Sequence, residues 1–390
     1  MSPSMSRKEF ILSIGALSGA LVLSSFLEAC SKIGITSSAD NGTIYVKDTV
    51  EPTATVQGIN TETNTTAQTE TTSQGEPMGT TTPTSKPDRD RAYITFVKTD
   101  NRTDGVRRAL ELIGVRSVKG QSVFLKPNYN SADPAPGSTH PDVLRTIVQE
   151  LQKLGAASIT VGDRSGMGNT RRVMEKLGVF ELATEMGFDT FVFDDLEADD
   201  WVMFQPRGSH WQRGFPFARP ILESDLIVQA CCLKTHRYGG HFTLSLKNSV
   251  GMVAKTVPGD KTNYMHELHS SPYQRTLIAE INAAYQPALI VMDGVEAFVD
   301  GGPANGKRVA SNVVLAGTDR VAIDAVGVAI LRYFGTTPEV SDGPVFEQEQ
   351  ISRAAELGLG VDHPDKIEFI TGDRDSAEYA EQIRKILVNT

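Results

Sequence analysis

From about residue 89 onward, short apolar runs and amphipathic stretches take turns along the chain. Ala92-Tyr93-Ile94-Thr95-Phe96-Val97, Ser122-Val123-Phe124-Leu125 and Ala157-Ser158-Ile159-Thr160-Val161 are rich in β-branched and aromatic residues. Runs of that kind, bounded by polar residues or glycine, predict strands. Further strands are predicted over Thr190 to Phe193, Leu226 to Ala230, Ala288 to Met292, Val313 to Ala316 and Ile367 to Ile370. Between them the period lengthens. His140-Pro141 opens a helix through Leu154, with Val143, Leu144, Ile147, Val148 and Leu151 on one face. Thr103 is the expected cap of a helix through Ile113, and helices are predicted over 170–178, 274–285, 319–334 and 376–388. Asp319 reads as the N-cap of the third of these. Strands alternating with helices imply an α/β fold, with a mixed or mostly parallel sheet and helices on both faces.

The first 88 residues have a different texture. Arg7-Lys8, the apolar run Ile11 to Leu27 and Glu28-Ala29-Cys30 predict an export signal over residues 1–30. Leu27-Glu28-Ala29-Cys30 resembles a bacterial lipobox, which makes Cys30 the candidate lipidation site. Ser6-Arg7-Lys8-Glu9-Phe10-Ile11-Leu12 resembles a twin-arginine export signal. Residues 31–88 are rich in Thr and Ser and are expected to form a disordered tether, because they offer too little apolar surface to offset ordering entropy. Thr43-Ile44-Tyr45-Val46 within it has the composition of a strand. Residues 89–390 are the expected folded domain. The picture is of an extracytoplasmic protein held to a bacterial membrane by an N-terminal lipid.

Charge and cysteine content narrow the function classes. The chain has 38 Lys and Arg against 48 Asp and Glu, a formal charge of −10. That balance argues against general affinity for nucleic acid, so any anion site must be local. The three cysteines are Cys30, Cys231 and Cys232, too few for an iron–sulfur cluster or a disulfide framework. Adjacent Cys231 and Cys232 follow a buried-strand pattern and read as small apolar residues.

Candidate chemistry collects where strands end, the place where α/β sheets bind ligands. Strand 122–125 ends in Lys126-Pro127-Asn128, and strand 157–161 in Gly162-Asp163. The strand beginning at Leu226 runs out into Lys234-Thr235-His236, and strand 288–292 ends in Asp293. His241 to Asn248 has helical spacing, which turns Lys247 inward if Leu244 packs. Lysine is rarely buried without a partner, so Lys126, Lys234 and Lys247 together predict an anionic ligand. Asp324 sits in an otherwise apolar helix and needs a cation or hydrogen bonds, with Lys126 or Lys247 as natural partners. His266-Glu267-Leu268-His269 lacks the HExxH spacing, and His266 reads as a catalytic or substrate-binding imidazole rather than a metal ligand.

Leu125-Lys126-Pro127-Asn128, Thr139-His140-Pro141, Gly162-Asp163, Leu233-Lys234-Thr235-His236, Leu246-Lys247-Asn248-Ser249-Val250-Gly251 and Ala316-Gly317-Thr318-Asp319-Arg320-Val321-Ala322-Ile323-Asp324 resemble the DUF362 family, over about residues 92 to 372. Asp293 and the Gly301-Gly302-Pro303 segment with Gly306 fit the same pattern. The family is an uncharacterised domain, found alone or beside a ferredoxin-like iron–sulfur module, and its exported members carry twin-arginine-like leaders. The resemblance implies a fold and a set of positions, and it names no reaction and no cofactor.

The leading expectation is an enzyme acting on a small anionic substrate. Lys126, Lys234, Lys247, His236, His266 and Asp163 would carry the catalysis, and Asn128, His140, Asn248, Asp293 and Asp324 would position the substrate. A lysine desolvated near other cations would instead serve as a nucleophile. The alternative is a solute- or metallocofactor-binding lipoprotein without turnover. A third reading gathers His236, His241, His266 and His269 with Asp163 into a metal centre.

Overall fold

A computed structural model describes residues 91–115 and 117–388, together with two short strands, β1 (Ile35–Ser37) and β2 (Thr43–Val46). The expected export signal, Cys30 and the rest of the Thr/Ser-rich segment lie outside the described residues. β2 falls on the segment of the expected tether whose composition is that of a strand, and β1 lies just before it. β1 pairs with β2, and β2 pairs with β7 (Trp201–Phe204), which pairs in turn with β8 (Phe215–Ala218). These four form a small sheet.

The main sheet has nine strands: β3 (Ala92–Lys98), β4 (Ser122–Lys126), β5 (Ser158–Asp163), β6 (Asp189–Val192), β9 (Leu226–His236), β10 (His241–Thr243), β11 (Leu289–Gly301), β12 (Gly306–Gly317) and β13 (Ile367–Ile370). Their order is β13-β3-β12-β11-β9-β4-β5-β6, with β10 folded back on β9. Along that order only β12 runs against its neighbours, because it returns from β11 as a long hairpin. The mostly parallel α/β sheet predicted from the alternation is the observed fold.

Twelve α-helices occur among the described residues: α1 (Arg102–Ile113), α2 (Pro141–Lys153), α3 (Thr170–Lys176), α4 (Val179–Met186), α5 (Arg219–Leu222), α6 (Ser245–Asn248), α7 (Tyr264–Ser270), α8 (Gln274–Ile281), α9 (Arg320–Tyr333), α10 (Pro338–Ser341), α11 (Glu349–Glu356) and α12 (Arg374–Val388). Strand side chains alternate between faces, and the two faces feed separate cores. Ile290, Met292, Val313 and Leu315 pack with α9, α11 and α12. Leu289, Val291, Val314 and Ala316 pack with α1, α2 and residues of α3 and α4. A third cluster joins Phe124 and Ile227 to the small sheet and α8. Cys231 belongs to the first core, and Cys232, next along β9, points to the other face. Residues 320–331 of α9 are all buried, as expected of a helix enclosed on every side.

Several local readings need correction. Asn101, not Thr103, caps α1, because its side chain accepts from the Asp104 amide. The predicted helix over 170–178 ends early, since Gly178 at φ 72° separates α3 from α4. The stretch from His241 is not one helix: His241–Thr243 is strand β10, and only Ser245–Asn248 is helical. His241 at φ 60° closes the turn that brings β10 back onto β9. β9 itself continues to His236, so Lys234 and His236 are strand residues rather than loop residues.

Candidate functional site

β9, β4 and β5 are parallel neighbours, so their carboxyl ends open on one crevice. A cavity of about 420 Å³ lies there. Lys126 from β4, Asp163 from β5 and His236 from β9 line it, together with Asn128, Lys247, Asn248 and His266. Thr243, Arg164, Lys255, Met265 and His269 also line it.

The hairpin register explains one wall. Thr243 stands opposite Lys234, and His241 opposite His236. Residues facing each other across an antiparallel pair share a face, as do residues two apart in one strand. Lys234, His236 and Thr243 therefore point the same way. α6 follows β10 at once and supplies Lys247 and Asn248. That short helix is pinned at its start by Asp324 of α9, whose carboxylate accepts from the Ser245 amide (2.8 Å), the Ser245 hydroxyl (2.7 Å) and the Leu246 amide (3.1 Å). Asn282 also donates to the Leu246 carbonyl at 3.0 Å.

Most of the cations at this site are already engaged. Lys126 Nζ reaches Asp163 Oδ1 (2.7 Å), the Pro127 carbonyl (2.6 Å) and Asn248 Oδ1 (3.3 Å), which accounts for its three protons. Asp163 also accepts from the amides of Tyr129 (2.7 Å) and Arg164 (2.6 Å). Burial pushes the Lys126 ammonium down and the Asp163 carboxyl up, and their contact opposes both shifts. Gly251 closes over this pair, where a Cβ would lie 2.4 Å from Asp163 Oδ1 and 2.9 Å from Lys126 Nζ. Lys234 Nζ donates to Asn128 Oδ1 (2.9 Å) and to the Gly137 carbonyl. Arg164 donates to the carbonyls of Val253 (2.7 Å) and Val250 (2.6 Å), holding that loop against β5.

Three polar groups have no such partner, and all three sit together. Lys247 is 8% exposed, His236 6% and Thr243 5%. His236 Nδ1 and Thr243 Oγ1 are buried without a hydrogen bond. Among the described residues no acceptor serves the Lys247 ammonium, and the charges that act on it are those of Lys234 and Arg164. Burial, then Lys234 and Arg164, lower the Lys247 ammonium to about 7. Burial, then Lys247 and Lys234, hold the His236 imidazole well below its ordinary value, so it is neutral. A Cβ on Gly240 would meet Lys247 Cε at 2.5 Å and His236 Nδ1 at 3.1 Å, so both side chains close over that bare backbone.

The structure brings Lys126, Asp163, His236, Lys247, Asn128 and Asn248 into one wall and sets Lys234 directly behind Asn128. His266 is exposed at the rim, on α7. Three expected ligand residues serve elsewhere. His140 caps α2, its Nδ1 accepting from the Asp142 amide at 3.2 Å. Asp293 pairs with Arg102 at 2.8 Å, outside the cavity wall. Asp324 has no lysine partner, because the amides and hydroxyl of α6 fill its oxygens, and burial raises its carboxyl to about 7. Among the described residues no three His, Cys, Asp or Glu side chains form a set able to hold a metal ion. The histidine centre weighed from the sequence is therefore not assembled.

Thr243 and Arg164 escaped the sequence reading. Strand alternation through His241 and Thr243 marks the first, but the helical spacing of the same segment masks it. Arg164 follows Asp163 directly, and nothing in its neighbours distinguishes it from a surface arginine.

The family model described as a domain of unknown function, DUF362, matches residues 123–329, more than half of the chain. The chain belongs to this family. The matched span holds β4, β5, β9, β10 and α6, and with them every buried side chain of the cavity described above. A thylakoid-associated protein of Synechocystis sp. is 26% identical over 260 residues, covering 63% of this chain and 73% of the relative. Among solved structures, the lactate racemase apoprotein from Thermoanaerobacterium thermosaccharolyticum is similar at 14% identity and a TM-score of 0.33, over 77% of this chain and 88% of that one. A likeness that weak transfers no chemistry to this DUF362 member.

Proposed function

We propose that this DUF362 protein is an enzyme whose active site is the cavity at the ends of β4, β5 and β9, and that its substrate is a small anion. One observation supports this reading above the others. Lys247, His236 and Thr243 line the cavity together, and among the described residues Lys247 Nζ, His236 Nδ1 and Thr243 Oγ1 have no hydrogen-bond partner. Leaving a buried donor or acceptor unmet costs about 1–3 kcal/mol, and a ligand that meets them removes that cost. The surroundings favour negative charge. Asp163 is paired with Lys126, and Lys255 at the rim with Asp194, which leaves Arg164 and, behind the wall, Lys234 as the net field. Lys247, near neutrality in its affinity for protons, is suited to move one at physiological pH, with His236 beside it as acceptor or donor. Asn128, Asn248, Lys126 and Asp163 make the frame that holds these groups in place.

The test is a panel of small carboxylates and phosphates, followed by thermal shift and by product analysis. At least one is expected to raise the melting temperature by roughly 2–4 °C at saturation. Lys247→Met should lose that response, and the same compound should be consumed by wild-type protein. Binding lost in the variant with no consumption of any bound compound would turn the reading into that of a binding protein. No shift with any anion would remove it.

We also propose export and membrane attachment through a lipid on Cys30. The N-terminal sequence pattern supports it, and a relative is named for its association with thylakoids. Among the described residues no helix is long and apolar enough to cross a membrane. Cys30→Ser is expected to move the protein from the membrane to the soluble fraction on cell fractionation, and persistence in the membrane fraction would count against the lipid.

A further inference from the structure

We infer that Lys247 is a covalent catalyst whose amine condenses with the carbonyl carbon of a small 2-oxo acid. The inference rests on the active-site reading above and names the substrate class that reading leaves open. It starts from what Lys247 lacks. Lys126 and Lys234 each find oxygen acceptors in the protein, which favour the ammonium against the lowering that burial imposes on both. Lys247 finds none, and its nearest charges are cations. A lysine meant to grip an anion would be kept charged. This one is destabilised as a cation, which leaves the nitrogen lone pair free to attack.

The neighbours suit a carbonyl. His236 and Thr243 line the cavity with Lys247, and their Nδ1 and Oγ1 atoms have no other partner, so they are the groups available to hydrogen-bond the carbonyl oxygen of a bound compound. A cavity of about 420 Å³ admits a compound of this size, with Val250 and Met265 offering apolar contact to its carbon chain. The carboxylate of a 2-oxo acid lies next to its carbonyl, within the field of Arg164 and Lys234.

The step balances without a cofactor. The Lys247 nitrogen adds to the carbonyl carbon, and one nitrogen proton passes to the oxygen. The C–O bond then breaks, the oxygen leaves as water with the second nitrogen proton, and a C=N bond remains. In this proposal His236 and Thr243, which line the cavity with Lys247, relay both protons. The bound carboxylate then faces an imine that withdraws electrons from the neighbouring carbon, the feature on which lysine-dependent carbonyl chemistry relies.

Borohydride trapping tests this on the full chain. The protein is incubated separately with pyruvate, oxaloacetate and 2-oxoglutarate, reduced with sodium borohydride and mapped by peptide mass spectrometry. With at least one of them Lys247 should carry the reduced adduct. Its labelling should exceed that of surface lysines by about a hundredfold at pH 7, since far more of its amine is unprotonated. Excess lactate, which offers the carboxylate without the carbonyl, should suppress the labelling. Lys247→Arg should abolish it, and a melting curve of that variant checks that it is folded; the lactate arm needs no variant. If no oxo acid labels Lys247 while lactate or another anion still shifts the melting temperature, the covalent step is refuted and the anion site survives. If neither labelling nor any shift occurs, both fall. Labelling spread evenly over many lysines also refutes the inference.

Discussion

Lys247→Met is expected to make the protein more stable, not less. At pH 6 the gain should be about 3–5 kcal/mol, because a lysine lowered from 10.5 to about 7 carries a charge that the fold disfavours. The sign follows from proton binding. Between pH 7 and 10.5 the unfolded chain holds a proton on Lys247 that the folded chain has released. Stability of the wild type therefore rises with pH across that window, and the cost is present in full below pH 7. Methionine keeps most of the apolar stem and removes the charge, so its advantage should shrink to about 2 kcal/mol by pH 9. Melting curves at pH 6 and pH 9 check this, with a rise of roughly 5–10 °C expected at the lower pH. An unchanged or lower melting temperature at pH 6 would mean that Lys247 has a partner that holds its charge. Stability gained where the anion response is lost is the mark of a side chain kept for activity rather than for folding.

The same substitution at Lys126 should do the reverse. Lys126→Met leaves the buried Asp163 carboxylate without its counter-charge, and removing one member of a buried pair costs about 3–5 kcal/mol. Adding Asp163→Asn should recover part of that loss. We expect the double variant to be more stable than the sum of the single effects by about 2 kcal/mol. Urea unfolding of the four proteins gives the coupling directly. Strict additivity would mean that the 2.7 Å contact contributes nothing as a pair, and the frame role assigned to it would be withdrawn.

Two lysines a short distance apart thus have opposite effects on stability, and the sequence treats them alike. Both look like charges delivered to the end of a strand or the start of a helix. What separates them is the count of acceptors around each nitrogen, and those acceptors come from distant segments. Asp163 is on the neighbouring strand, Asn248 is 122 residues from Lys126, and Gly137 is 97 residues from Lys234. Periodicity cannot supply such pairings. It did supply the α/β alternation and the crevice at the strand ends, because both follow from local patterns of apolar residues. It failed where tertiary pairing overrode local spacing. His241 to Asn248 fits a helix on paper, yet its first three residues gain more by pairing with β9. It also failed for carboxylates. Asp324 is legible as a buried acid that needs a partner and Asp293 as a carboxylate at a strand end, but their partners are the amides of α6 and Arg102. A buried acid capping a helix and one poised for a ligand look the same in one dimension.

Cys231 and Cys232 are neighbours in the chain but occupy opposite sides of β9. The sheet itself stands between their sulfurs, so they cannot close on each other while the fold is intact. Both are walled off from solvent, and burial pushes the Cys232 thiol up to about 11, far from the thiolate that oxidants attack. The folded domain should therefore be indifferent to whether its surroundings are oxidising or reducing, and should keep its shape during purification with or without reductant.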